Sequence, residues 1–227
     1  MKLTYYGHSC WQVEVNGKNL LFDPFISPNE LASHIKVEEI KADYILITHG
    51  HEDHVADVER IAKNTGAKII SNFEIINWFA KKGIENGYPM NIGGKCKFDF
   101  GTLTYFTAQH SSSMPDGSYG GNPGSFIIES TQGNFYHTGD TGLMMDMKLI
   151  PLLTKLDFAF LPIGDNFTMG IKDAVLASEF IECNNIYAMH YDTFGYIVVD
   201  KMAATQAFKN AGKKLSFIEI GKSENIK

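Results

Sequence analysis

Between Thr48 and His54 the chain reads Thr48-His49-Gly50-His51-Glu52-Asp53-His54, which sets three imidazoles and the Asp53 carboxylate within six positions. Imidazole nitrogen and carboxylate oxygen are the donors that zinc, manganese and iron take as divalent ions. His49 and His51 would face one ion, and Asp53 and His54, one helical step further on, would face a second. The competing reading is a surface loop that happens to be rich in histidine. Three more candidates stand at the ends of strand-like runs: His110 after Leu103 to Gln109, Asp140 after Tyr136 to Gly139, and His190 after Ile186 to Met189. A single histidine at a strand end is more often hydrogen-bonded structure than ligand. Taken with the 49–54 cluster, however, they bring the set to five imidazoles and two carboxylates, enough for two metals.

The elements that must position these groups are legible around them. Tyr44-Ile45-Leu46-Ile47 reads as a buried strand, and Val55, Val58, Ile61 and Ala62 recur at helical spacing up to Gly66, a C-terminal stop. The motif therefore falls on a strand-to-helix turn, where a rigid scaffold presents side chains at an edge. Gly50 is expected to let the backbone bend between the first two histidines. Upstream, Lys2 to Tyr6 predicts a strand, and Trp11, Val13 and Val15 alternate before an Asn16-Gly17 hairpin turn and a return at 20–22. Residues 26–40 read as loop with a short helix. A helix at 55–65, a strand at 67–71 and a helix to Lys82 capped by Asn72 follow. Strands are expected at 95–100, 102–109, 125–129, 134–137, 157–161, 186–190 and 214–220. Helices are expected at 143–154, 172–182 and 200–211, with a Ser/Gly-rich loop at 110–124. Hairpins mix with strand-helix-strand units and no composition break marks a linker. The expectation is one α/β domain over 1–227 built from two mixed sheets with helices outside both.

Composition narrows the partners. The 227 residues are 44% hydrophobic and 20% charged, ordinary for a folded chain. A net charge of −6 argues against a nucleic-acid partner. Arg60 is the only arginine, so no arginine pair is available to clamp phosphate. No apolar run approaches membrane-spanning length, and Met1 to Tyr6 runs straight into a strand pattern rather than a leader peptide. Cys10, Cys96 and Cys183 are odd in number and scattered, which suits a reducing cytoplasm. In the helix at 72–82 the apolar residues Phe73, Ile75, Ile76, Trp78 and Phe79 exceed one core-facing stripe, and a homo-oligomer is one way to cover them. A neighbouring loop is the other.

In its His-x-His-x-Asp-His motif followed by a His, an Asp and a final His, the sequence resembles the metallo-β-lactamase superfamily. Gly7-His8-Ser9, Asp23-Pro24-Phe25, Gly120-Gly121-Asn122-Pro123 and Gly164-Asp165-Asn166-Phe167-Thr168-Met169-Gly170 look like a branch of metal-dependent hydrolases. That branch is similar to the ascorbate-phosphate lactonases and to the phospholipase D enzymes acting on N-acyl-phosphatidylethanolamine. The resemblance covers essentially the whole chain and implies a four-layer αββα sandwich with the site at one edge of both sheets. It also implies that His49, His51 and His110 bind one metal, that Asp53, His54 and His190 bind a second, and that Asp140 bridges them. Asp23 matches a structural carboxylate that braces the ligand loop. His8 and His137 stay open between supporting the ligands, lining the pocket and being satisfied core histidines, and His34 reads as surface.

Where His51 stands, oxygen-reducing di-iron members of the superfamily carry a carboxylate. An imidazole there suits zinc and leaves manganese or iron open. Two divalent ions sharing Asp140 would lower the pKa of bound water from about 16 toward 7. Asp53 and Asp140 are the carboxylates expected to take part in the chemistry, with Asp53 also able to pass a proton. The expected reaction is hydrolysis of a small ester or lactone, with a phosphodiester as the alternative on the same site. A non-catalytic metal-binding protein is the rival from another class. Ser111 to Met114, Tyr119, Asn122, Asn166, Phe167, Tyr191 and Phe194 are the expected substrate wall.

Overall fold

Alternation along the first strands divides the molecule into layers. Leu20 and Phe22 turn into one hydrophobic cluster while Leu21 turns into another, and Leu46 and Ile70 part from Ile45, Ile47 and Ile69 in the same way. A strand with apolar side chains on both faces must be covered on both. The computed structural model, which describes residues 1–226, meets that demand with two seven-stranded sheets and outer helices.

The first half of the chain contributes β1 (Lys2–Gly7), β2 (Cys10–Val15), β3 (Lys18–Phe22), β4 (Tyr44–Leu46), β5 (Lys68–Asn72) and β6 (Gly87–Met90). The second contributes β7 (Lys95–Phe98), β8 (Gly101–Thr107), β9 (Gly124–Ser130), β10 (Gly133–His137), β11 (Phe158–Pro162), β12 (Asn185–Met189) and β13 (Lys214–Ser216), while β14 (Ser223–Asn225) crosses back to pair with β1. The sheet orders are β14-β1-β2-β3-β4-β5-β6 and β13-β12-β11-β10-β9-β8-β7. In each, four strands pair antiparallel and the fourth begins a parallel set. Between the sheets lies one aromatic core drawn from both halves, including Trp11, Phe22, Tyr105, Phe126, Phe135 and Phe160.

The helices are α1 (Glu52–Val55), α2 (Val58–Thr65), α3 (Phe73–Ala80), α4 (Ile150–Leu153), α5 (Ile171–Phe180) and α6 (Lys201–Asn210). Val58, Ile61, Ile75, Ile76 and Phe79 cover the first sheet, and α6 packs on β13 and α5. As expected, Asn72 caps α3 by accepting from Ile75 N, and Gly66 ends α2 in a left-handed conformation (φ 71°). The apolar spread of α3 is covered within the chain in part. Ile75, Ile76 and Phe79 are buried, and the 110–124 loop meets Trp78, whose indole donates to Asp116 Oδ2 at 2.8 Å. Phe73 remains exposed. Among the described residues no helix is long and apolar enough to cross a membrane.

Several boundaries differ from the sequence reading, each for a physical reason. The helix expected at 55–65 is two helices, broken where Asp57 turns inward to accept from Ile26 N, Ser27 N and Ser27 Oγ. The break frees α1 to aim Asp53 and His54 independently of α2. β6 holds Gly87 and Pro89, residues that argue against a strand but are tolerated at a sheet edge. The strand expected to run to 220 leaves its sheet after Ser216, because Gly221 N bonds Tyr5 O and leads the chain to the first sheet. The helix expected at 143–154 is a 3₁₀ turn at Met145–Leu149 followed by α4, with Pro151 in its first turn. Two 3₁₀ turns, Glu30–Ala32 and Val37–Glu39, stand where a short helix was expected.

Candidate metal centre

Three strands reach the same edge and each carries a candidate three residues past its end: His49 after β4, His110 after β8 and Asp140 after β10. His190 directly follows β12. Thr48 anchors the first of these turns. Its N–H donates to Asp23 Oδ1 (2.8 Å), its hydroxyl donates to Asp23 Oδ2 (2.7 Å), and its carbonyl accepts from Gly124 N (2.9 Å) and Tyr105 OH (3.2 Å). Gly50 serves a different purpose from the expected bend. It has no positive φ; a Cβ there would lie 2.5 Å from Met114 Sδ and 3.0 Å from Ser113 O, so the need is for close approach of the 110–124 loop.

The ring nitrogens and carboxylate oxygens then converge in three overlapping groups: His49/His51/His110, His49/His54/Asp140 and His8/Asp53/His54/His190, each with its donor atoms within 4.8 Å of one another. All seven expected ligands are in these groups, and His8 is an addition. Asp140 Oδ2 stands between them, 2.9 Å from His190 Nε2, 3.3 Å from His54 Nε2 and 3.7 Å from His110 Nε2. Asp53 Oδ2 is 3.8 Å from His54 Nε2 and 3.9 Å from His190 Nε2. His49 Nε2 and His51 Nδ1 face each other at 3.0 Å.

Hydrogen bonds fix which nitrogen each ring offers. Thr48 spends its one hydroxyl proton on Asp23, so its oxygen accepts from His49 Nδ1 at 3.0 Å and His49 Nε2 keeps its lone pair, turned toward His51 Nδ1. His54 Nδ1 donates to Asp23 Oδ2 at 2.9 Å, which turns Nε2 toward the carboxylates. Inside this web His54 Nε2, Asp140 Oδ1 and His190 Nδ1 are buried without a hydrogen-bond partner. Unpaired buried polar atoms are costly, and His54 Nε2, which faces Asp140 and Asp53 with no hydrogen bond of its own, is a donor that fits a divalent cation.

Electrostatics agree with that fit. Burial, reinforced by neighbouring imidazoles, holds His49 well below its ordinary value, and burial also lowers His51 and His110. All three therefore offer neutral rings near pH 7. Burial would also lower His54, but Asp140, Asp23 and Asp53 outweigh it and push its pKa well up, so positive charge is favoured there. Burial works against the charge on Asp53 and Asp140, yet His54 and His8 hold Asp53 down, and His190 and His54 hold Asp140 down.

Residues around the cluster resolve what the sequence left open. Asp23 braces both Thr48 and His54. His8 donates from Nε2 to Asp53 Oδ2 (3.0 Å), and its Nδ1 lies 3.0 Å from Thr193 Oγ1. His137 faces away: Nε2 donates to Ser9 O, Nδ1 accepts from Gly139 N, and the ring stacks on Phe22 at 4.7 Å, which makes it a satisfied core histidine. His34 is exposed. His8, Asp23 and His190 share a left-handed backbone (φ 55°, 42° and 53°), an uncommon state for these residues that clusters at functional sites. Residue type alone gives no sign of it.

Above the cluster opens a cavity of about 920 Å³. Of the expected wall, Ser111, Phe167 and Phe194 line it. The rest serve elsewhere: Ser112 Oγ accepts from Gly50 N, Met114 is buried beneath Gly50, Tyr119 bonds Asn122, and Tyr191 packs on Phe217. Asn166 is exposed and outside the lining. Phe25, Pro28, Asn29, Glu30, Glu52, Thr193, Gly195 and Tyr196 complete the wall and were missed, because loops far apart in sequence bring them together.

Residues 2–190 match the family described as "Beta-lactamase superfamily domain". The chain is 56% identical over 223 residues to a protein of Flavobacterium johnsoniae described as a UPF0173 metal-dependent hydrolase, covering 98% of this chain and 99% of that protein. A protein of Christiangramia forsetii with the same description is 54% identical over 224 residues, with the same coverage. Among solved structures, Igni18, a metallo hydrolase of Ignicoccus hospitalis, superimposes with a TM-score of 0.89 at 37% identity, covering 100% of this chain and 99% of that one.

Proposed function

The chain belongs to the beta-lactamase superfamily and is a metal-dependent hydrolase, and from that premise we propose that it cleaves a small ester or lactone at a centre of two divalent ions. His49, His51 and His110 would hold the first ion and Asp53, His54 and His190 the second, with Asp140 shared. The observation that carries this reading is the position of Asp140 Oδ2, within 3.7 Å of a ring nitrogen from each set. The donor set is rich in nitrogen, which favours zinc, with manganese or iron as alternatives.

Divalent ions held by these residues would supply hydroxide near neutral pH and a Lewis acid for the oxygen that gains charge. The chain does the rest. Asp23 holds His54 in the tautomer that keeps Nε2 facing the site, and Thr48 does the same for His49. Asp53, on the open side of the cluster with a quarter of its side chain exposed, is placed to pass a proton to the leaving group. His8 steadies that carboxylate. Phe25 and Phe194, edge-on to His8, limit water on that side.

The carbonyl preference rests on what surrounds the centre. Among the described residues no lysine or arginine lines the cavity, and Arg60, on α2, is paired with Glu38, so none of them offers a cationic side chain to a phosphate there. Cys10, Cys96 and Cys183 are all unpaired, which supports a cytoplasmic placement. Elemental analysis of chelator-free protein should find close to two equivalents of metal, and His110→Ala and His190→Ala should each lose one. Turnover panels of matched esters, lactones and phosphodiesters then test the reaction. A phosphodiester cleaved far faster than every carbonyl substrate would reverse the substrate assignment, and protein that takes up no metal would remove the ligand assignment.

A further inference from the structure

The candidate ligands occupy only the floor of the cavity. Over them stand two aromatic pairs. Phe25 and Phe194 lie 6.2 Å apart, and each meets the His8 ring edge-on, at 5.5 and 5.3 Å. Because His8 is buried and engaged at both ring nitrogens, this inner pair stands on a fixed support. Phe167 and Tyr196 form an outer pair, T-shaped at 6.1 Å, and remain 48% and 77% exposed. They come from separate loops, yet they meet at the mouth with apolar area still uncovered, as a binding wall requires.

The charge around this wall has one sign. Glu30 and Glu52 are exposed on the same cavity, and among the described residues no lysine or arginine joins them. A carboxylate or phosphate held at the wall, away from the ions on the cavity floor, would meet the two glutamates with no cationic side chain among the described residues to offset them. A neutral ring would bury the uncovered aromatic area, and an ammonium group would be accepted by both the rings and the glutamates.

We infer that the substrate carries an aromatic or similarly flat apolar group beside the bond that is cut, held by Phe25, Phe194, Phe167 and Tyr196, with no negative charge on that group. This rests on the ester-or-lactone reading above for its reacting end. It can be tested with the full metal-loaded chain on ethyl acetate, benzyl acetate, 4-carboxybenzyl acetate and 4-(aminomethyl)benzyl acetate, whose leaving alcohols differ little in reactivity.

Benzyl acetate should exceed ethyl acetate in kcat/KM by about tenfold or more, the scale of a filled apolar subsite. The carboxylate should cancel that gain and the amine should keep it. Tyr196→Ala and Phe167→Ala should erase the benzyl preference through KM, and Glu30→Gln with Glu52→Gln should restore the carboxylate ester. A carboxylate ester as good as benzyl acetate, or wall variants that slow ethyl and benzyl acetate alike, would overturn the inference. Saturation-transfer NMR reads the wall without turnover: benzyl alcohol should bind, 4-carboxybenzyl alcohol should not, and Tyr196→Ala should abolish the signal. If no ester is cleaved yet this binding pattern holds, the ester reading fails and the wall stands. If benzyl alcohol does not bind, the wall fails whatever is cleaved.

Discussion

Asp23→Asn changes one heavy atom and should separate the two halves of the proposed metal centre. The native carboxylate is fully buried and accepts three hydrogen bonds, from Thr48 N (2.8 Å), Thr48 Oγ1 (2.7 Å) and His54 Nδ1 (2.9 Å). An amide has only one oxygen. With that oxygen kept toward Thr48 Oγ1 and His54, the new NH₂ opposes the Thr48 N–H. Flipped, it opposes both the Thr48 hydroxyl proton and His54 Nδ1–H; the hydroxyl can rotate away, but His54 escapes the clash only by moving its proton to Nε2, the nitrogen that faces Asp140. Either way one buried donor is stranded, which costs about 1–3 kcal/mol and lowers Tm by several degrees in a chain of this size. The flipped state also removes a donor from the proposed second metal site. Partners of metal-binding histidines are typically worth about 10–100-fold in affinity, so the second equivalent should weaken by that factor and the first by much less. Competitive titration against a chromophoric chelator resolves the two steps, and urea denaturation of metal-free protein reads the stability term alone. Two wild-type binding steps in Asp23→Asn, with stability within about 0.5 kcal/mol of the parent, would refute the argument that this carboxylate sets the His54 tautomer.

Two further outcomes follow from histidines that are not among the seven expected ligands. His8→Ala leaves Asp53 without its 3.0 Å partner and should weaken the second metal by about tenfold; equal loss at both metals in the same chelator titration would contradict that placement. Burial holds the His137 imidazole down to about 4 from an ordinary 6.5. Above pH 6.5 both folded and unfolded chains carry it neutral, and its contribution is fully present. As pH falls from 6.5 toward 4 the unfolded chain gains a proton that the folded chain refuses, and about 3 kcal/mol is lost across that window. Urea denaturation of metal-free protein at pH 7 and pH 4.5 should show a smaller pH loss in His137→Gln than in the parent, and an identical loss would refute the assignment.

The parts of this molecule legible in its sequence are those whose cause is local. The 49–54 cluster announces itself because metal donors at that spacing have few other uses, and Ile45-Leu46-Ile47 reads as a strand because both its faces are apolar. The Asn72 cap and the Gly66 stop are one-residue signals and held. What escaped has a distant cause. β14 is Ser-Glu-Asn, with no pattern of its own, and is a strand only because the β1 edge offers it hydrogen bonds. Asp57 reads as a helical residue until Ile26 and Ser27 claim its carboxylate. Phe25 and Tyr196 are 171 positions apart in the chain and become one wall only after both sheets have packed.

That dependence on packing extends to the site itself. The candidate ligands come from both sheets, and the stitches between them are identifiable. Thr48, beyond β4 of the first sheet, accepts from Gly124 and Tyr105 of the second. His190 N donates to His8 O, joining the end of β12 to the turn after β1. Within the second sheet, Gln109 N donates to Thr141 Oγ1 and Gly142 N to Gln109 O, tying the His110 turn to the Asp140 turn. The spacing of Asp140 from His54 is therefore a property of the inter-sheet core. Gly124 shows how little slack that core has, since a Cβ there would lie 2.2 Å from the Tyr105 ring and 2.5 Å from the hydroxyl that bonds Thr48. A methyl group at that point would have to push the sheets' edges apart or break the Thr48 anchor, and in either case the cost would reach the ligand positions as well as the fold.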